Sequence, residues 1–137
     1  MSPPTFIIGL PIADRRRAMA FYQDAVGLTP VGPPAADGVP EPLQFQLGNH
    51  CTLMLIPSDG FGWVVADRTV AEPGISECLL TMTVATDGAV EELVERVRRA
   101  GGEVVGEPEH RPWGYSSTWA DLDGHLWQVS VGPGAQS

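Results

Sequence analysis

The sequence predicts an α+β fold made of two βαβββ modules, and three observations point to it. An apolar run, an Asp, an amphipathic helix and a Gly occur in that order twice: Asp14 and Asp87 lie 73 residues apart, and Gly27 and Gly101 lie 74 apart. Each half then ends in two apolar runs joined by a tight polar turn, LQFQLGNHCTLMLIP in the first and STWADLDGHLWQVSV in the second. Finally, 137 residues suffice for one core but not for two. Neither half can bury both its sheet face and its helix alone. The modules are therefore expected to join into one curved, eight-stranded mixed sheet, with helices on its convex face and a concave cavity on the other. The chain reads as a single domain over 1–137, with module one at about 5–57, a linker at 58–75 and module two at about 76–131.

Module one opens with an apolar strand, Phe6 to Ile12. Asp14 is placed to cap the next helix, Ala18, Phe21, Tyr22 and Ala25 fall on one face of it, and Gly27 stops it. Val31 is expected near a further strand, ahead of the Pro/Gly-rich surface loop GPPAADGVPEP at 32–42. The hairpin from Leu43 to Pro57 completes the module. In the linker, Phe61 and Trp63 of the GFGW run are flanked by glycines and suit either a ligand lid or a dimer contact. Module two repeats the order. Cys78 to Ala85 is an apolar strand, Asp87 precedes a helix with Val90, Leu93, Val94 and Val97 at helical spacing, and Gly101-Gly102 ends it. Glu103 to Val105 lies near a third strand, and residues 1–4 and 132–137 are expected to fray.

The net charge of -9 sets seventeen acids against eight basic residues, all eight of them Arg. Such a surface argues against nucleic acid or an anionic membrane as partner, because phosphate binding needs a basic footprint. It is compatible with a cationic ligand, and it suits simple solubility better. Cys51 and Cys78 lie in apolar runs without CxxC spacing and read as buried thiols of a reducing compartment. MSPPTFIIGLPIAD has no basic leader, and its apolar run is broken by Gly9 and Pro11, so a cytoplasmic protein is expected.

Four segments, LPIADRRRAMAFYQDAVGL, RAGGEV, PWG at Pro112 to Gly114 and DLDGHLWQV, appear in an order that resembles the vicinal oxygen chelate superfamily. That family includes glyoxalase, extradiol dioxygenases, fosfomycin-resistance enzymes and bleomycin-resistance proteins. The resemblance spans nearly the whole chain. It implies that metal-dependent relatives hold their ion at positions that here read Ile7, Met54, Leu79 and Gln128, with Thr81 as the alternative to Leu79 one register step away. Three of these offer no donor for a hard or borderline divalent cation, so neither a metal nor any other cofactor is expected. His50 and His125, at hairpin turns, and His110, on a loop, read as solvated.

Strand alternation anchored at Gln128 puts Leu126, Gln128 and Ser130 toward the cavity with Thr81 and Thr83, while Leu80, Met82, Val84, Trp127 and Val129 face a helix. Thr52 and Met54 complete a wall. Trp63, Trp113, Tyr115 and Trp119 are candidate aromatic walls, with Trp119 equally suited to core and Trp113 best placed on its loop. Arg15, Arg16 and Arg17 open a helix where positive charge opposes the dipole; an anionic partner or a solvated face explains them. No side chain commits to a catalytic role. The expected function is binding of a small organic ligand, such as drug sequestration, in a metal-free cavity of a homodimer. The alternatives are a glyoxalase-like lyase or isomerase or a metal-independent tailoring enzyme, and a subunit whose cavity has become core.

Overall fold

Asp14 begins the first helix as its composition demands: its Oδ1 accepts the backbone N–H of Arg17 at 3.0 Å. In the computed structural model, which describes residues 4–132, the contacts divide the chain into two units at Val70/Ala71. The first unit holds β1 (Phe6–Ile12), α1 (Arg15–Phe21) continuing as a π-helical turn (Tyr22–Val26), β2 (Leu43–Gly48), β3 (Cys51–Pro57) and α2 (Ser58–Val64). Its sheet runs β1-β3-β2, with β1 parallel and β2 antiparallel to β3. The predicted inward face of the helix is buried at Ala18, Phe21, Tyr22 and Ala25, against a core that includes Ile12, Phe45, Leu53 and Leu55. Gly27, at φ 79, ends it in the left-handed conformation.

The strand expected near Val31 does not form. Pro30 makes only an isolated bridge to Phe45, and Val31 N–H donates to the Gln44 carbonyl at 2.9 Å. Beyond it Pro33, Pro34, Pro40 and Pro42 lack the N–H a ladder needs. Among the described residues there are consequently seven strands in two sheets of three and four, not one sheet of eight.

The same loop explains two of the three arginines. Arg15 Nη2 donates to the carbonyls of Val39 and Pro40, each at 3.0 Å, its Nε lies 3.3 Å from Asp37 Oδ2, and its Nη1 lies 3.1 Å from Glu41 Oε2. Arg16 Nε donates to the Asp37 carbonyl at 3.1 Å. Their partners are thus in the chain itself, and they tie the proline-rich loop to α1. The Arg15 hydrogen bond, aided by the Val39 N–H, holds the Asp37 carboxyl below its ordinary value. A depressed carboxylate stabilises the fold above its unfolded value, and that contribution is lost as pH falls through the folded one. Arg15→Ala is expected to cost about 1–2 kcal/mol by urea denaturation at neutral pH, with a smaller difference from wild type once Asp37 is protonated. An unchanged midpoint at neutral pH would show that the loop is held by other contacts.

The second unit holds β4 (Leu79–Val84), α3 (Asp87–Arg99), β5 (Glu103–Arg111), β6 (Gly114–Ala120) and β7 (Leu126–Val131). Its sheet runs β4-β7-β6-β5, with β4 parallel to β7 and the other pairs antiparallel. Thr86, one residue before the expected Asp87, caps α3 by accepting the Ala89 N–H at 3.1 Å; its hydroxyl reaches the first turn and leaves Asp87 free to interact with the helix dipole. Val90, Leu93, Val94 and Val97 are buried, and α3 packs on β5, β6 and β7. Asp121 Oδ1 accepts the N–H groups of Asp123 and His125, both at 2.9 Å, and so closes the DLDG turn.

Four local expectations change. His110 lies within β5, which runs on to Arg111, and its ring packs on Tyr115 at 4.7 Å. Cys78 precedes β4 and is exposed, and Cys51 is only half-buried, so neither is a core thiol. The GFGW run, expected only as part of the linker, is helical and lies in α2. Of the ends expected to fray, 1–3 and 133–137 lie outside the described residues, while Gly132 N–H donates to the Val84 carbonyl at 3.0 Å. Among the described residues no helix is long and apolar enough to cross a membrane.

Candidate functional site

Gln128 stands in the middle of β7 with Thr81 of β4 paired on one side and Thr118 of β6 on the other. Paired residues share a sheet face, so these three form a row of neutral polar groups. Thr83, Ser130 and Ser116 form the adjoining row. Leu80, Trp127 and Trp119 occupy the opposite face, toward α3. The alternation predicted for β4 and β7 is therefore present: Thr81 and Thr83 are exposed, while Trp127 and Val129 are buried.

The β5–β6 hairpin contributes the aromatic group. Gly114, at φ 134, makes the tight turn that only glycine adopts freely, and Trp113 folds back to the row. Its Nε1–H is shared between Gln128 Oε1 at 3.1 Å and Ser116 Oγ at 3.2 Å. An indole N–H only donates, so Gln128 must present its carbonyl oxygen there, which directs its NH₂ to Thr81 Oγ1 at 3.3 Å. The Trp113 ring stays 57% exposed. The Arg111 guanidinium carbon lies 5.7 Å from the ring centroid, and Arg111 Nη2 pairs with Glu109 at 2.9 Å.

Of the residues expected at the site, the structure brings Gln128, Thr81 and Trp113 together and sets Thr83 one row away. Met54 and Trp63 belong to the first unit, where Met54 pairs with Gly9 and Trp63 is exposed on α2. Tyr115 and Trp119 are corrections. Both alternate with Ser116 and Thr118 and so point to the helix side. Tyr115 donates to Glu91 of α3 at 2.8 Å, and Trp119 is fully buried, stacked on Trp127 at 5.3 Å. The Glu91 carboxylate, followed by desolvation, raises the Tyr115 phenol above its ordinary value and keeps it protonated. Ser116, Thr118 and Arg111 were not anticipated. The signal for the first two was the alternation of GYSSTWA once Trp119 is assigned inward; Arg111 carries no such signal.

The pairing sets the implied metal positions on one face of each sheet: Ile7 pairs with Thr52, one row from Met54, and Leu79 with Leu126, one row from Gln128, while Thr81 stands directly beside Gln128. Thr81 offers a hydroxyl and Gln128 a carboxamide oxygen already engaged by an indole, Met54 a thioether, and Ile7 and Leu79 nothing. These groups do not fit a divalent cation. Among the described residues no three His, Cys, Asp or Glu side chains are grouped to hold a metal.

A family model, the Glyoxalase/Bleomycin resistance protein/Dioxygenase superfamily, matches residues 7–129. Among solved structures, a hypothetical protein from S. aureus is 28% identical, with 96% of this chain and 95% of that one covered at a TM-score of 0.79. A glyoxalase-related enzyme from Fulvimarina pelagi is 25% identical over 94% of this chain and 88% of its own, at a TM-score of 0.81. A glyoxalase/bleomycin resistance protein/dioxygenase family enzyme from Burkholderia phytofirmans, 17% identical over 91% and 95% at a TM-score of 0.72, shares the fold. No curated protein matches. With its repeated modules and nearly its whole length covered by the family model, this chain belongs to the Glyoxalase/Bleomycin resistance protein/Dioxygenase superfamily.

Proposed function

We propose that the protein binds a small organic molecule on the Gln128 face of the second unit's sheet, without a metal, and sequesters it. The observation behind this reading is the exposed Trp113 ring fixed by its own N–H to Gln128 and Ser116. A large ring held out at a hairpin tip beside unspent hydroxyls offers both stacking area and orienting polar groups, the mix typical of organic-ligand sites. A thermal-shift screen tests it. A ligand present at about 100 times its Kd should add about 2.7 kcal/mol of stability and shift the Trp113 indole N–H resonance. Stabilising compounds that leave that resonance unmoved would place binding elsewhere.

A second reading, a glyoxalase-type lyase or isomerase or a metal-independent tailoring enzyme, draws on the 25% identity to the glyoxalase-related enzyme from Fulvimarina pelagi. It ranks second because Thr81, Ser116, Thr118 and Gln128 include no general acid or base suited to neutral pH. Conversion of a bound compound to product would reverse the ranking. The protein is further proposed to be a homodimer, since α2 exposes Trp63 by 81% and Val64 by 61%, which suits pairing with a second copy. Light scattering is expected to give twice the chain mass, and a monomer at micromolar concentration would count against pairing.

A further inference from the structure

The whole-chain charge is compatible with a cationic ligand, but the local chemistry of the Gln128 face does not favour one. Every side chain in its two central rows is neutral: Thr81, Gln128 and Thr118, then Thr83, Ser130 and Ser116. The acids of α3, Asp87, Glu91, Glu92 and Glu95, lie on the helix that packs against the other side of the sheet, and Glu107 pairs there with Arg98. In the β5 arm, Glu109 is matched by Arg111 at 2.9 Å, and Glu103, exposed on the outer strand, stands two strands from Gln128. A guanidinium thus lies over the Trp113 ring, in the position a ligand cation would seek over the indole.

What the face leaves open is hydrogen bonding. Gln128 Nε2 has a second proton beyond the one given to Thr81, Gln128 Oε1 has a second lone pair, and the Thr81 and Thr118 hydroxyls both donate and accept. Resting on the binding reading above, we infer that this face selects an uncharged planar ligand bearing an amide or lactam edge, which stacks on Trp113 and exchanges hydrogen bonds with Gln128. A cation would meet Arg111 and find no carboxylate in the two central rows. A carboxylate would find Arg111 already paired and would bring no donor for Gln128 Oε1.

Three nearly isosteric probes differing in charge, 2-naphthamide, 2-naphthamidinium and 2-naphthoate, separate the possibilities. Each is titrated into the full chain while the Trp113 indole N–H and Gln128 side-chain NH₂ resonances are followed. The amide is expected to shift both and to bind at least about fivefold more tightly than either ion. Arg111→Gln should then tighten the amidinium severalfold relative to the amide, because only the cation is opposed by the guanidinium. Equal or tighter binding of either ion at these two resonances would overturn the inference and leave the ligand site itself standing. Silence of both resonances with all three probes at millimolar concentration would overturn the inference and the binding reading together.

Discussion

Trp119→Ala is expected to lower the unfolding free energy by about 3–5 kcal/mol, the range for truncating a buried aromatic to a methyl group. The ring is fully buried and stacked on Trp127 with an interplanar angle of 4°, on the sheet face that α3 covers. Removing it leaves a large void between sheet and helix that neither rigid element can close. Trp119→Phe keeps most of the volume and should lose far less. Urea denaturation of both variants measures this. Ligand affinity in Trp119→Phe should match wild type, because the residue faces away from Gln128. A normal midpoint in Trp119→Ala combined with lost binding would return Trp119 to the ligand wall.

Much of this was legible because it rests on period and punctuation. The inward helical residues Ala18, Phe21, Tyr22 and Ala25, and later Val90, Leu93, Val94 and Val97, follow from spacing alone, and all are buried. The alternation that sends Trp127 and Val129 inward and leaves Thr81 and Thr83 exposed follows from a single anchor at Gln128. The missing eighth strand also has its cause in the sequence, where four prolines between 32 and 42 outweigh the apolar Val31. What the sequence could not disclose was partnership. Arg15 and Arg16 look unpaired in sequence because Asp37, Val39 and Pro40 are more than twenty residues away and meet them only when the loop folds back.

The site shows the same limit. Trp113 and Gln128 are fifteen residues apart on different elements, and their hydrogen bond depends on the hairpin turn at Gly114. Tyr115 and Trp119 resemble Trp113 in composition but sit at odd steps along β6, so parity sends them to α3. One residue of phase separates a ligand wall from the core, and phase is visible only once the pairing of β6 with β7 is known.

Whether Gln128 serves a ligand or holds the sheet together is decided by Gln128→Leu, with Thr81→Val as control. Both hydrogen-bond partners of Gln128 retain other options. Trp113 keeps Ser116 and is half exposed, and the exposed Thr81 hydroxyl reaches water. Loss of the carboxamide should therefore shift stability by less than about 1 kcal/mol, since no buried group is left without a partner. The affinity for a bound compound, measured on the same samples by calorimetry, should fall tenfold or more, because a site built to hydrogen-bond its ligand rejects it once that group is gone. Near-wild-type denaturation midpoints for both variants together with that loss of affinity are the predicted result. A loss of about 1–3 kcal/mol in both variants, with affinity unchanged in whatever remains folded, would show that the row holds the sheet together and that the ligand binds elsewhere.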